Sequence, residues 1–229
     1  MRFAALGLAI AAAPAFAAAQ EYPPLSEYMM DRDEEIAMAR SAAPAHISAD
    51  ASVMVLTRNG YQLAEEGDNG FLCVVLRGYA APTFEPKDFR NFVYLSKLRA
   101  PICYDANAAH DIFPLQQLKT RLGMEGKSPD EIGQAVATAY ARGELPAIER
   151  VSFAYMMSGH QDLDGDGEAG DFVPHTMVYA PGYRNETLGG NPFGSRLPFI
   201  VDDPGTPFAV ATIAGADVEF NYMPGAEPN

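Results

Sequence analysis

Cys73 and Cys103 are the two cysteines of the chain, and they stand behind an N-terminal segment with the parts of an export leader. In an oxidising compartment such a pair reads first as one disulfide. The bridge closes a loop of about 30 residues and stabilises the fold by roughly 3–4 kcal/mol on the chain-entropy model. It also dictates which segments must be neighbours. The sharper alternative makes one cysteine a thiolate nucleophile beside His110, His160 or His175, and no local signature accompanies it.

The chain opens MRFAALGLAIAAAPAFAAAQ. Arg2 supplies a basic start, an apolar run extends to Ala13, and small residues fill the cleavage zone. Ala15-Phe16-Ala17 and Ala17-Ala18-Ala19 both satisfy the small-x-small rule, so cleavage is expected after Ala17 or Ala19. Residues 1–19 then form a signal peptide and 20–229 a single domain, delivered to the periplasm or secreted. Pro14 and the polar Gln20-Glu21 argue against a buried alanine helix. No later run of about 18 apolar residues follows, so no membrane span is expected.

Losing Arg2 with the leader leaves 15 basic residues of the original 16, against 30 acidic ones. A surface this acidic repels phosphate backbones and anionic lipid, which excludes nucleic acid and membrane surfaces as partners. The apolar fraction of 48% suits a globular domain with one sizeable core.

Local signals give an α+β domain with a mainly antiparallel sheet. Residues 26–41 form a helix capped by Ser26, with acids in its early turns and a thin apolar stripe that places it on the surface. SVMVLTR, Asn59-Gly60, YQLAEE, the turn Asp68-Asn69-Gly70 and FLCVVLR read as a three-stranded meander. Pro114 to Leu122 is a short helix stopped by Gly123. Ser128-Pro129-Asp130-Glu131 is a capping box opening a helix to about Arg142, and the two helices make an αα-hairpin. VSFAYMMS and FVPHTMVYA then form a hairpin, FAVATIAG a last strand, and 181–207 a long surface loop.

The stretch 159–177, GHQDLDGDGEAGDFVPHTM, concentrates the candidate chemistry. Asp162, Asp164, Asp166 and Gly167 match the first half of a calcium loop, in which alternate aspartates converge on one ion and glycine permits the bend. The second half departs from that pattern. Val173 stands where a bidentate Glu belongs, Asp171 is the nearest later acid, and the flanks are strands. A looser calcium turn using Asp162, Asp164, Asp166 and Asp171 is one expectation, favoured by the absence of Lys or Arg from Val151 through Tyr183. A solvated hairpin tip is the other, since Asp and Gly suit turns anyway.

Centring the hairpin between Asp166 and Gly167 sets Met156 opposite Met177, Ser158 opposite His175 and His160 opposite Val173. Val151, Phe153, Tyr155 and Met157 then share the core face. His160, His175, Met156 and Met177 on the other face would suit a soft metal such as reduced copper. Ser158 beside His175 offers a nucleophile and base for a hydrolase, without the elbow or triad order that usually accompanies them.

Taken together, Ala39-Arg40-Ser41-Ala42-Ala43-Pro44, Asn69-Gly70-Phe71-Leu72-Cys73, Pro101-Ile102-Cys103-Tyr104, Tyr155-Met156-Met157-Ser158 and Pro174-His175-Thr176-Met177 resemble a family of bacterial exported proteins of no assigned function. The resemblance covers nearly all of the mature chain. It implies a signal peptide and a Cys73–Cys103 bridge, and it supplies no activity. Where members carry a histidine-rich run before the Pro-His element, this chain has Asp171-Phe172-Val173. The expectation is therefore an exported binding or structural envelope protein with a small ligand or an envelope protein as partner, and a Ser158–His175 hydrolase as the alternative.

Overall fold

Apolar runs at strand spacing build one eight-stranded sheet, ordered β2-β1-β3-β4-β5-β6-β8-β7. Its strands are β1 Ser52–Thr57, β2 Gly60–Glu65, β3 Leu72–Leu76, β4 Ala100–Tyr104, β5 Ser152–Met156, β6 His175–Tyr179, β7 Phe199–Asp202 and β8 Val210–Ala214. The helices are α1 Leu25–Tyr28, α2 Arg32–Arg40, α3 Ala45–Ser48, α4 Ala106–Asp111, α5 Phe113–Met124 and α6 Pro129–Ala141. This computed structural model describes residues 22–79, 92–167, 174–192 and 197–215, and residues 1–19, the expected leader, lie outside them. The α+β class with a mainly antiparallel sheet holds.

Strand alternation divides the core between the two sheet faces. On one face Val53, Val55, Cys73, Val75 and Cys103 pack under Ile36, Ala39, Ala42 and Ala43 of α2 and the turn after it. On the other, Val74, Ile102, Tyr104, Ala154 and Met156 meet Ala108 of α4, Phe113 of α5 and Ile112 at their junction. The α5–α6 hairpin closes on its own cluster of Leu115, Ile132, Val136 and Ala139. Its capping box forms as expected, with Ser128 and Glu131 each accepting the other's backbone N–H.

Cys73 and Cys103 stand directly opposite each other in the β3–β4 ladder and are bonded. Both are fully buried beneath α2. The bridge therefore crosses two adjacent strands in the core, and the thiolate alternative does not apply.

The meander is corrected. β1 and β2 form the expected hairpin at Asn59-Gly60, but β3 pairs with β1, in parallel, on its far side. Residues 66–71 cross the N-terminal end of β1 to get there. Gly67 permits the crossing, because a Cβ at this position would lie 2.3 Å from the Asp50 carbonyl oxygen and the Ala51 carbonyl carbon. The crossing is held by the Asp68 N–H donating to Asp50 O at 3.0 Å and the Gly67 N–H to Ser52 Oγ at 3.0 Å.

The N-terminal helix is also corrected. It breaks at Met29–Asp31, and Asp31 rather than Ser26 caps the longer piece by accepting from the Asp33 and Glu34 amides. Nor does α2 lie on the surface, because it buries Glu35, Ile36 and Ala39 against the sheet. Gly123 does not stop α5 but lies inside it, where a Cβ would meet the Tyr79 ring at 2.5 Å. The segment 181–207 contains a 3-10 turn, Asn185–Leu188, and strand β7.

The charge on α2 is matched from β3's end. Glu35 and Arg77 are 1% and 0% exposed, and Arg77 Nη2 lies 2.8 Å from Glu35 Oε2, too oblique for a directed hydrogen bond and so a Coulombic contact. The other Glu35 oxygen accepts the Leu56 N–H at 3.0 Å, and Arg77 Nε donates to Tyr28 O at 2.8 Å. Removing one partner leaves a charge stranded in the core. Glu35→Leu and Arg77→Met are each expected to destabilise the protein by about 3–5 kcal/mol, and the double variant by much less than their sum. Urea unfolding of the four proteins measures this, and simple additivity would refute it. Gly67→Ala is expected to lose about 2–3 kcal/mol by forcing the crossing apart. In the same unfolding assay Gly159→Ala, where a Cβ meets nothing within 4 Å, should stay within about 1 kcal/mol of wild type.

Candidate functional site

The acidic tip follows β5 and is anchored at its base. Arg99 and Asp162 exchange backbone hydrogen bonds at 2.7 and 3.0 Å, adding a two-residue bridge beyond β4. Gln161, fully buried, donates from Nε2 to the Met156 and Ser158 carbonyls at 3.1 and 2.9 Å. Beyond this base the chain turns through Gly165 and Gly167, both at positive φ, where a side chain would be strained.

Asp162, Asp164 and Asp166 come together here, each offering one carboxylate oxygen within 4.8 Å of the others. Asp162 is buried and the other two are exposed. Its carboxylate accepts the Gly165 N–H at 2.6 Å and the Gly167 N–H at 2.8 Å, one on each oxygen. Each oxygen keeps a second lone pair. Burial pushes the Asp162 carboxyl above its ordinary range and the Asp164 carboxylate adds to the rise, against the pull of the two amides. Asp171 lies outside the described residues.

The absence of Lys and Arg between Val151 and Tyr183 does not leave the acids isolated from cations. Folding brings the segment before β4 against the tip, with Lys97 Nζ 3.3 Å from where a Cβ on Gly167 would stand. Arg99 sits at the tip's base, its guanidinium held by the Ser96 and Leu98 carbonyls. Burial lowers its pKa to about 10 while Glu35 and Asp162 favour its charge.

The β5–β6 register differs from the expected one by two residues. Met156 faces His175, Ala154 faces Met177 and Ser152 faces Tyr179. A two-residue shift keeps faces unchanged, so Met156, His175 and Met177 share a face, but it is the core face under α4 and α5. Val151 and Phe153 are on the other side and exposed, because α2 does not reach that far along the sheet. His160 lies past the strand end and is exposed, whereas His175 is buried. Ser158 is buried too, its hydroxyl accepting from Ser41 Oγ at 2.7 Å and from the His160 N–H at 3.1 Å. Its hydrogen bonds thus go to Ser41 and the backbone, and His175 is not among its partners.

The five segments behind the family resemblance meet in space. Cys103 faces Tyr155 across β4–β5, the Phe71 and Tyr155 rings lie 6.2 Å apart, and the Met157 N–H donates to Ala42 O at 3.0 Å. With the Ser41–Ser158 and Met156–His175 pairings they form one patch around the disulfide.

Lys119 gives no signal in the sequence. It stands one position after Leu118 on a helix whose leucines draw attention, yet it is 1% exposed. Burial lowers its pKa to about 7, opposed by Asp203 and Asp202. No family model matches the chain, and no curated protein or solved structure does either.

In the unfolded chain Lys119 should titrate near 10.5, its ordinary value. Between the folded and unfolded values the unfolded state binds the extra proton, so stability must rise with pH across that window. Urea midpoints are expected to climb from pH 7 to 9.5, and Lys119→Met should flatten the climb. An unchanged slope in the variant would place the pH dependence elsewhere.

Proposed function

We propose that the chain is an exported envelope protein that works by binding, with residues 1–19 as its removable leader and calcium as a structural ligand of its acidic tip. The buried Cys73–Cys103 bridge carries this reading. A bridge placed in the core between two strands must form as the sheet assembles, which an oxidising compartment allows and a reducing cytosol opposes. Among the described residues no helix is long and apolar enough to cross a membrane, which fits a protein released from its leader. A small ligand or another envelope protein is the partner class that its acidic surface favours.

Calcium fits the tip for a physical reason. Three carboxylates converge while burial opposes the charge on Asp162, and a bound divalent cation reverses that penalty. Oxygen donors suit calcium, and the glycines leave room for close approach. Lys97 beside the tip weakens the attraction, so affinity belongs to the weak extracellular class with Kd of about 0.1–1 mM.

Two measurements test the reading. Fractionation of cells expressing the full chain should recover it outside the cytoplasm with its mature N-terminus at Ala18 or Gln20, and a cytoplasmic, uncleaved product would overturn export. For the tip, about 10 mM calcium at that affinity adds roughly 1.4–2.7 kcal/mol of stability, a rise of several degrees in Tm. Asp164→Ala should abolish the rise. An equal response in the variant, or none in wild type, would remove calcium from the proposal.

A further inference from the structure

A cleft of about 390 Å³ opens where the β1–β2 turn meets α5 and the end of α6. Its apolar wall is made by Tyr61, Pro114, Leu118 and Leu145, and its polar groups are Asn59, Gln117 and Arg121, with Glu144 also on the lining. The volume lies in the range of small-molecule sites.

The polar groups are not used by the protein itself. Among the described residues no carboxylate pairs with Arg121, and the side chains of Asn59, Gln117 and Arg121 make no hydrogen bond. Acidic residues outnumber basic ones 30 to 16 in this chain, so an exposed guanidinium with no carboxylate paired to it, sharing one cleft with two amides that make no hydrogen bond, is out of keeping with the surface around it. Glu144 meets Arg142 only loosely, at 3.7 Å with both side chains largely exposed, so its charge still acts on the cleft.

We infer that this cleft binds a small organic monocarboxylate with a short apolar body, which deepens the binding reading above and rests on it. The guanidinium presents paired N–H donors that match a carboxylate, the two amides supply further donors, and the apolar wall takes the body of the ligand. A dianion such as a phosphate ester fits less well, because Glu144 and the acidic surface repel the second charge. The turn that shapes the rim is fixed by Gly60 at φ 93°, and by the Thr57 hydroxyl, which donates to Gly60 O and accepts from the Asn59 N–H.

Titration of the isotope-labelled mature protein, followed by amide chemical shifts, tests this with hexanoate and phenylacetate as probes. Hexanamide and inorganic phosphate are the controls. Both carboxylates should shift the amides of Gly60, Gln117, Leu118 and Leu145 saturably, with hexanamide at least tenfold weaker and phosphate silent. Arg121→Gln should weaken carboxylate binding at least tenfold and leave hexanamide unchanged. Gln117→Glu, at another accessible position, should weaken it as well. No saturable shift by about 20 mM, a Kd weaker than that of ordinary small ligands, would overturn the site, as would equal binding of hexanamide and hexanoate. Saturable shifts mapping to other residues would overturn this cleft while leaving the binding reading intact, and the calcium response of the tip is independent of all these outcomes.

Discussion

The Glu35–Arg77 pair is the interaction on which the rest of the sheet's assembly depends. Arg77 follows directly after β3, Glu35 is on α2, and their partners reach α1 through Tyr28 O and β1 through the Leu56 N–H. Four elements, α1, α2, β1 and β3, are thus referred to one buried pair. Such a pair adds little net stability over an apolar replacement of the same shape. Its value lies in placement: an apolar contact tolerates a rotated or shifted α2, whereas a buried carboxylate that must keep one oxygen on the Leu56 N–H and its charge against Arg77 does not. Because α2 also covers the disulfide, fixing the helix fixes the lid over Cys73 and Cys103.

The second constraint is topological. β3 must run alongside β1 in parallel, so the chain has to pass over the end of β1 within residues 66–71, with no room for a helix. Parallel neighbours ordinarily need a long crossover. Here the intervening strand β2 makes the journey and returns the chain to the starting end, leaving only a short crossing at Gly67. The Cys73–Cys103 bridge then ties the inserted strand to β4, one residue beyond its first ladder pair Leu72–Tyr104. Bridge and crossing act on the same end of β3.

Much of this was legible in residue patterns, where local chemistry decides. The capping box at Ser128, the β1–β2 hairpin and the cysteine pair depend on neighbours in sequence or on a single pairing rule. What stayed hidden depends on contacts across the fold. Gly67 resembles any loop glycine until the backbone of residues 50–52 is laid against it. Asp68-Asn69-Gly70 carries hairpin chemistry, yet the Asn69 side chain accepts the Phe71 N–H and donates to Ile47 O, so it shapes a crossing instead. Glu35 and Lys119 are charged residues on helices, where exposure is the ordinary expectation, and Lys97 reaches the acidic tip from some seventy positions away. For the candidate site, the aspartate cluster was readable from its spacing. The Ser158–His175 pairing was not, because a long tip leaves the register unpinned.

The edges of the sheet bear on how this molecule can recognise anything. At β7 the Asn185 side chain hydrogen-bonds both the N–H and the carbonyl of Ile200, as a neighbouring strand would. At β2 the Arg32 guanidinium donates to Ala64 O at 2.9 Å. At these positions the polar side chains occupying edge groups oppose strand addition. β1, β3 and β5 all run in one direction, which puts the β1–β2 turn and the acidic tip at the same end of the sheet. Three strand spacings separate them, about 14 Å across. The cleft beside the turn presents a lone cation and an apolar wall, while the tip presents converging carboxylates. One end of the molecule therefore carries both proposed sites, the acidic tip and the cleft, close enough to face a single partner yet held on different strands, so that neither needs the other to form.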